Sequence, residues 1–435
     1  MTVADSFSWD FDPSFRPINP PMDDWDLSPP PPSEMGDREV LLDGMHLAGR
    51  RIALLVCGSI AAYRSPDVAR ALRRQGADVV AFVSKEARRY VTLEALEWST
   101  TNPVVTKLTA AAEHLSDAHP FAAYLVAPAT YDTINKMRLG IADGVVTATL
   151  ASAIGRMEAG RTEVLVAPTM HGTMHNSLLT DSLQALRSIG VRMIQPRRAY
   201  GKNNLPDPQT LVVQVCRVLS RSPLHGVPVM VTGGPTPVPL DAIRRITNCF
   251  TGQLGIEIAK ELYLRGSQVH LVHGAGSTAP PDWIPHTITP TYHDYRDRVL
   301  SLLQERDYRF GIFSAAVADY QPVQIHPGKI PSGGQWKTIQ LQPTEKVIDL
   351  VSELAPQLGL ISFKYQEGVT HEALMQIAHD RLQRGHLAVV ANRGNETGPR
   401  GEQVAYLVTR DRSPLRMLDK PGIAMGIADW LESLF

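Results

Sequence analysis

Residues 51–60, RIALLVCGSI, begin a run that is apolar from Ile52 to Cys57 and stops at Gly58-Ser59. A strand buried on both faces reads this way, and such strands belong to parallel sheets covered by helices. The next residues complete one βαβ unit. SPDVARALRRQG places Ser65 as a cap, Pro66 at the first helical position, Val68, Ala69 and Leu72 on one face, and Gly76 as the stop. ADVVAFVS is the second strand. Apolar runs that end in loops recur at FAAYLVAPAT and TEVLVAPTM, and a helix-like DPQTLVVQVCRVLSR closes the region near Arg221. SPLHGVP reads as a linker. The pattern then restarts at VPVMVTGG and continues through RFGIFSAAVADY and HLAVVANRGNETG. The expectation is an α/β protein of two doubly wound domains with mostly parallel sheets, at 48–222 and 227–435.

The chain's 435 residues suit two cores better than one. Its formal net charge of -1 suggests neither a nucleic-acid surface nor a polybasic membrane patch. Three cysteines, Cys57, Cys216 and Cys249, are too few and too scattered for a disulfide framework or a zinc ribbon. The N-terminus lacks the basic-then-apolar pattern of a secretory signal, and no stretch reaches the ~18 apolar residues of a membrane span. A cytoplasmic location is expected. Residues 1–47 are acidic and Pro-rich, with PPPP at 29–32, and read as a disordered tail. Phe7, Trp9, Phe11, Phe15 and Trp25 give it aromatic character.

In parallel sheets, ligands bind beyond the carboxyl ends of strands. Gly58 and Ser59 stand at one such end and could offer N–H groups and a hydroxyl to a phosphate, or could simply form a tight turn. Ser84, in VSKEA, is a second hydroxyl. The loop lacks the Gly-x-Gly-x-x-Gly pattern, which disfavours NAD. APTMHGTMHN puts His171 and His175 four apart; a metal needs about three protein ligands, and this stretch supplies two at best.

RIALLVCGSIAAYR with SP after it, VSKEA, EHLSDAHPFAAYLVAPATYDTINKMRLGIADG and VLVAPTMHGTMH, in this order, resemble the flavoprotein decarboxylase family over most of 48–220. The resemblance implies a Rossmann-like domain holding FMN, with its phosphate near Gly58, Ser59 and Ser84 and its ring near Pro128, Ala129 and Thr130. It makes His114 the catalytic histidine. It places Met170 and His171 against the substrate, with His171 where the family carries the asparagine that holds the substrate carboxylate. The family's clamp cysteine has no counterpart in PRRAYGKNNLPDP, where Arg197, Arg198, Lys202 and Asn203 could hold a phosphorylated substrate instead.

In the second half, Gly233 and Gly234 let a ligand approach the backbone closely. Asp241, Arg244 and Asn248 follow, and TGQLG opens a helix whose N–H groups could take a phosphate. Asp319 ends a strand, where it could hold magnesium, and Lys329 lies on a flexible loop. GGPTPVPLDAIRRITN and AAVADY resemble phosphopantothenate–cysteine ligases over about 227–410. The resemblance implies that Asn248 stabilises an acyl-nucleotide, that Lys329 assists its formation, and that Gly233, Gly234, Ala316, Asp319, Phe363 and Arg384 surround the nucleotide, CTP or ATP. Asp241 and Arg244 would contact the substrate.

Together the two resemblances imply consecutive steps of coenzyme A biosynthesis. 4'-Phosphopantothenate would be joined to cysteine with Mg2+ and a nucleotide triphosphate, and the product decarboxylated with FMN. A homo-oligomer is expected, with decarboxylase sites between subunits. Two other readings stay open: a ligase with an inactive flavoprotein domain, and a flavin- or nucleotide-binding regulator.

Overall fold

The computed structural model describes residues 28–115, 119–276, 278–333 and 338–435. The tail aromatics Phe7 to Trp25 lie outside these residues. Residues 28–39 are exposed and form no helix or strand.

The boundary expected at 47 falls earlier. Leu47 is fully buried in the first core. The N–H groups of Asp43 and Leu47 donate to the carbonyls of Arg74 and Gln75, both at 2.8 Å. Those carbonyls end the first helix and have no partner within it, so the incoming chain satisfies them.

The first sheet draws on β1 (Arg51–Val56), β2 (Asp78–Val83), β3 (Ala123–Ala129) and β4 (Glu163–Pro168). A short β5 (Met170–His171) follows, then β6 (Arg192–Met193) and a hairpin of β7 (Arg197–Ala199) and β8 (Lys202–Asn204). The helices between them are α1 (Ser65–Arg73), α2 (Leu93–Thr100), α3 (Tyr131–Leu139), α4 (Val145–Glu158), α5 (Ser177–Ser188) and α6 (Pro208–Leu219). The sheet order is β2-β1-β3-β4-β6, all parallel, and β5 pairs separately with β8. Strand order reverses beside β1, so a crevice opens between the ends of β1 and β3. Ser65 does not cap α1. It is the first helical residue, and its hydroxyl faces the Ala127 carbonyl at 3.5 Å. Gly76, at φ +86°, makes the expected stop.

The second sheet begins with β9 (Pro228–Gly233). A small antiparallel pair, β10 (Val238–Pro239) and β11 (Arg245–Ile246), precedes α7 (Gln253–Leu264), β12 (Gln268–Gly274), β13 (His286–Thr289), α8 (Tyr292–Glu305) and β14 (Phe310–Phe313). Then come β15 (Tyr320–Pro322), β16 (Leu341–Pro343), α9 (Val347–Leu354), β17 (Gly359–Gln366), α10 (His371–Gln383), β18 (Ala388–Arg393), β19 (Val404–Val408), β20 (Leu415–Leu418) and α11 (Lys420–Glu432). The order is β13-β12-β9-β14-β17-β18-β19-β20, parallel as far as β18 and antiparallel after it. Its switch point lies between β9 and β14. No helix among the described residues is long and apolar enough to cross a membrane.

The two sheets meet through α6 and α7. Leu264 of α7 belongs to the first sheet's apolar cluster. Arg217 stacks its guanidinium 4.2 Å from the Tyr263 ring and donates to the carbonyls of Tyr263 and Ser267, at 3.0 and 2.6 Å.

Candidate active sites

A cavity of about 950 Å3 occupies the crevice at the ends of β1, β3 and β4. Its size suits a cofactor together with part of a substrate. Gly58, Ser59, Ser84 and Thr130 line it, as the sequence led us to expect. Each of the three hydroxyl oxygens also accepts a nearby backbone N–H: Ser59 from Ala61, Ser84 from Ala87 and Thr130 from Thr133. The turns are therefore tight and still present hydroxyls to the cavity, so the two readings of Gly58-Ser59 are compatible. A side chain at Gly58 would meet the Glu86 Cβ at 2.5 Å, which is why only glycine fits there.

Pro128 and Ala129 do not line the cavity. Both are buried within β3, and Ala129 packs into the core below it. Lys136, Asp143 and Thr106 do line it. Lys136 binds Asp132 at 3.1 Å and Asp143 at 2.9 Å, and this pairing holds the Asp143 carboxyl below the usual carboxylate range. An i, i+4 spacing in TYDTINK was the only sequence signal for the Asp132–Lys136 pair.

Met170 and His171 reach the cavity from β5, and Lys202 and Asn203 from β8. The strands pair antiparallel, Met170 with Asn203 and His171 with Lys202. At Gly172 an added Cβ would lie 2.2 Å from the Gly201 carbonyl oxygen, so the hairpin tip closes onto this residue. The His171 Nδ1 lies 2.9 Å from the Thr173 hydroxyl and accepts the Thr173 backbone N–H at 3.3 Å. Asn203 donates to the His175 Nδ1 at 2.7 Å. The two histidines thus turn to different partners, and no three His, Cys, Asp or Glu among the described residues gather as a metal site.

His114 is not brought to this cavity. It sits half-buried, its Nδ1 without a partner among the described residues, on a loop whose Leu115 carbonyl accepts from Arg156 at 2.9 Å. No thiol lines the cavity either. Burial pushes the Cys57 thiol up to about 11, Cys216 lies in the core of α6, and Cys249 is exposed in the second half.

At the second switch point, the glycines serve protein packing. A Cβ on Gly233 would meet the Gly255 Cα at 3.0 Å, and one on Gly234, at φ +76°, the Gly274 carbonyl oxygen at 2.9 Å. Gly233 therefore does not leave open space for a ligand; it brings the first turn of α7 against β9. That places the N–H groups opening α7 at the sheet edge, where they suit a phosphate.

Asp241 is buried and wholly occupied by the protein, which corrects its expected contact with substrate. It accepts from the backbone N–H groups of Arg244, Ile243 and Ile330 at 2.6, 2.8 and 3.0 Å, and pairs with the Arg244 guanidinium at 3.2 Å. The Arg244 N–H, with the other two, holds its carboxyl down at about 2. The Arg244 guanidinium also donates to the Ile330 carbonyl at 3.1 Å, so this pair fixes the loop that carries Lys329.

Asn248 donates to the Ala316 carbonyl at 2.9 Å, and the Ala316 N–H donates to the Gly234 carbonyl at 2.9 Å. These three predicted residues do come together. Asp319 is exposed and paired with Lys346, so it is not a free metal ligand. Phe363 lies on β17, half-buried. Arg384, chosen for the nucleotide, is exposed at the end of α10, whereas Arg381, which the same helix offered beside it, donates to the Phe363 carbonyl at 3.0 Å and the Ser362 hydroxyl at 3.2 Å. The signal was present: Arg381 follows the buried Leu374 and Ala378 at helical spacing. Burial, and then Arg381, lowers the Lys364 ammonium below its usual range.

The flavoprotein family matches residues 43–220, and the C-terminal domain of DNA/pantothenate metabolism flavoproteins matches 224–434. The chain is 35% identical to the coenzyme A biosynthesis bifunctional protein CoaBC of Thermococcus kodakarensis, over 89% of this chain and 96% of that one. It is 32% identical to the CoaBC of Escherichia coli over 66% and 71%. The DNA/pantothenate metabolism flavoprotein of Streptococcus pneumoniae superposes with a TM-score of 0.43 at 27% identity, covering 48% of this chain and all of that one. The chain is an enzyme that belongs to the family of coenzyme A biosynthesis bifunctional proteins, CoaBC.

Proposed function

We propose that the second half joins 4'-phosphopantothenate to cysteine and that the first half decarboxylates the product to 4'-phosphopantetheine. The observation that carries the first step is the convergence of Asn248, Ala316 and Gly234 at the β9/β14 switch point, beside the N-terminus of α7. The phosphopantothenate carboxylate attacks a nucleotide triphosphate, CTP or ATP, and releases pyrophosphate. Lys329 neutralises the charge that develops, and the cysteine amine then displaces the nucleotide. Mg2+ arrives with the nucleotide phosphates, since Asp319 alone cannot hold it. Lys364 and Arg381 add positive charge beside Phe363.

The donor set of the first cavity suits FMN: the hydroxyls of Ser59 and Ser84 and the turn after β1 for the phosphate, and Thr130 and Met170 for the ring. FMN, when bound, supplies the reversible two-electron oxidation that makes loss of CO2 possible. Lys202 and Asn203 hold the phosphorylated substrate from the hairpin, and His171 holds its carboxylate. His114 serves the cavity of a neighbouring copy, which accounts for its absence from the lining of its own and calls for a homo-oligomer. Pro128 and Ala129 support the ring site from beneath.

The absence of a thiol favours one other reading, a ligase whose flavoprotein half is structural. One mixture separates the two: protein, phosphopantothenate, cysteine, magnesium and CTP or ATP, assayed for pyrophosphate and CO2. No pyrophosphate with either nucleotide sinks the ligase. Colourless protein releasing pyrophosphate but no CO2 sinks the decarboxylase.

A further inference from the structure

Loss of CO2 breaks a carbon–carbon bond and leaves its electron pair behind. A C–H bond must form at that carbon before a saturated product exists, so the cavity needs an acid. No thiol among the described residues lines it. The hydroxyls of Ser59, Ser84 and Thr130 are too weakly acidic, the Tyr131 phenol donates to Asn176 at 3.4 Å, Lys136 is tied to Asp132 and Asp143, and Lys85 is an ammonium on the opposite, β2 side. On the face built by β5 and β8, two donors remain, Lys202 and His171. An ammonium gives up its proton reluctantly near neutral pH, whereas an imidazolium does so readily.

We propose that His171 is the proton donor of the decarboxylation, holding the substrate carboxylate through Nε2–H and then passing that proton to the carbon that CO2 has left. This rests on the decarboxylase reading above. In the resting protein Nδ1 accepts the Thr173 backbone N–H at 3.3 Å, a bond that the neutral ring makes and the imidazolium gives up. The same Nδ1 faces the Thr173 hydroxyl at 2.9 Å. A hydroxyl donates to a neutral imidazole and accepts from an imidazolium, so the ring keeps one orientation with Nε2 open.

The charged neighbours balance. Asp132, Asp143 and Glu86 supply three carboxylates, while Lys85, Lys136 and Lys202 supply three ammonium groups. His175 is bonded to Asn203, and the other imidazole of the proposed site, His114, comes from a neighbouring copy; loss of saturated product in His114→Asn but not in His171→Asn overturns the proposal. A substrate carboxylate set against Nε2 favours the imidazolium. When that anion departs as neutral CO2, the support vanishes and the ring becomes a stronger acid as the carbon needs its proton. The Nε2–H bond breaks, the C–H bond takes the pair left by CO2, and the ring ends neutral. Being exposed, it regains a proton from solvent. Overall the carboxylate and one proton become C–H and CO2, with no net change in electrons.

The test uses the full chain loaded with FMN, with His171→Asn, His171→Gln and His171→Ala. Flavin absorbance and thermal unfolding report on folding and cofactor binding. Products are identified by mass in single-turnover mixtures without oxygen. In His171→Asn, saturated 4'-phosphopantetheine should fall by ~100-fold or more, the contribution of a positioned general acid. An unsaturated thiol lighter by two hydrogens should replace it. In the FMN-free wild type, the ring titration followed by NMR should move up when phosphopantothenoylserine, which has no thiol, is added. Saturated product from His171→Asn or His171→Gln within about threefold of wild type, or a titration unmoved by that ligand, overturns the proposal. Wild-type protein that binds FMN and releases no CO2 overturns the decarboxylase reading, and the proposal falls with it.

Discussion

The buried carboxylate of Asp241 accepts the backbone N–H of Ile330 at 3.0 Å, across 89 residues of sequence. Through that bond, a residue with no free lone pair for substrate positions Lys329. Asp241→Asn replaces an acceptor with a donor that faces N–H groups. Pyrophosphate release should fall by ~10-fold or more while flavin absorbance stays unchanged. The pH dependence has a definite sign. The Asp241 carboxyl is held at about 2 in the folded chain, below its unfolded value near ~4. Its contribution to stability is present above the unfolded value and is lost as pH falls toward 2. Denaturant titrations between pH 5 and pH 2 should show wild type losing stability that Asp241→Asn never had.

Gly172→Ala separates the two activities. The new methyl would sit 2.2 Å from the Gly201 carbonyl oxygen, so the β7–β8 hairpin must lift away from β5. Displacing Lys202 and Asn203 by about 1 Å should cost the decarboxylation ~100-fold. Pyrophosphate release, which uses residues of the second sheet, should match wild type in the same preparation.

Arg381 and Arg384 make a paired test. Arg381→Ala strips the donor from the Phe363 carbonyl and the Ser362 hydroxyl and removes a cation beside Lys364. The KM for the nucleotide should rise by ~10-fold or more. Arg384 is exposed, and its alanine variant should stay within about threefold. The reverse ranking in steady-state kinetics would restore the choice suggested by the sequence.

Arg217→Ala removes the stacking on Tyr263 and both bonds to the α7 end. A loss of ~2 kcal/mol or more is expected from denaturant midpoints, without change in either KM.

The strands and their ends were legible because burial on two faces leaves an unbroken apolar run, as at 52–57 and 229–231. Such runs locate the switch points, and with them Gly58, Ser84, Thr130, Asn248 and Ala316. Other features left no periodic trace. The β7–β8 hairpin carries Arg197, Arg198, Lys202 and Asn204, with no alternation to announce a strand; its register comes from β5. Asp241 looked like a ligand because an isolated Asp before an Arg shows nothing of Ile330, which only the fold brings near. Pro128 and Ala129 are both buried within β3, and the motif does not show that the strand runs that far before the cavity begins at Thr130. His114 lies on a loop whose position depends on α4, and no local pattern encodes that.

Leu264 is counted in the second half by sequence and in the first half's core by packing. A chain that reads as two modules therefore lacks a clean seam. Severing it at the linker near 222–227 would leave one fragment with an uncovered apolar socket and the other with Leu264 and Tyr263 facing water. Arg217 would lose both acceptors at once. Fragments meant to isolate one activity need a replacement for that shared surface, and an evolutionary split of the gene would have had to invent one.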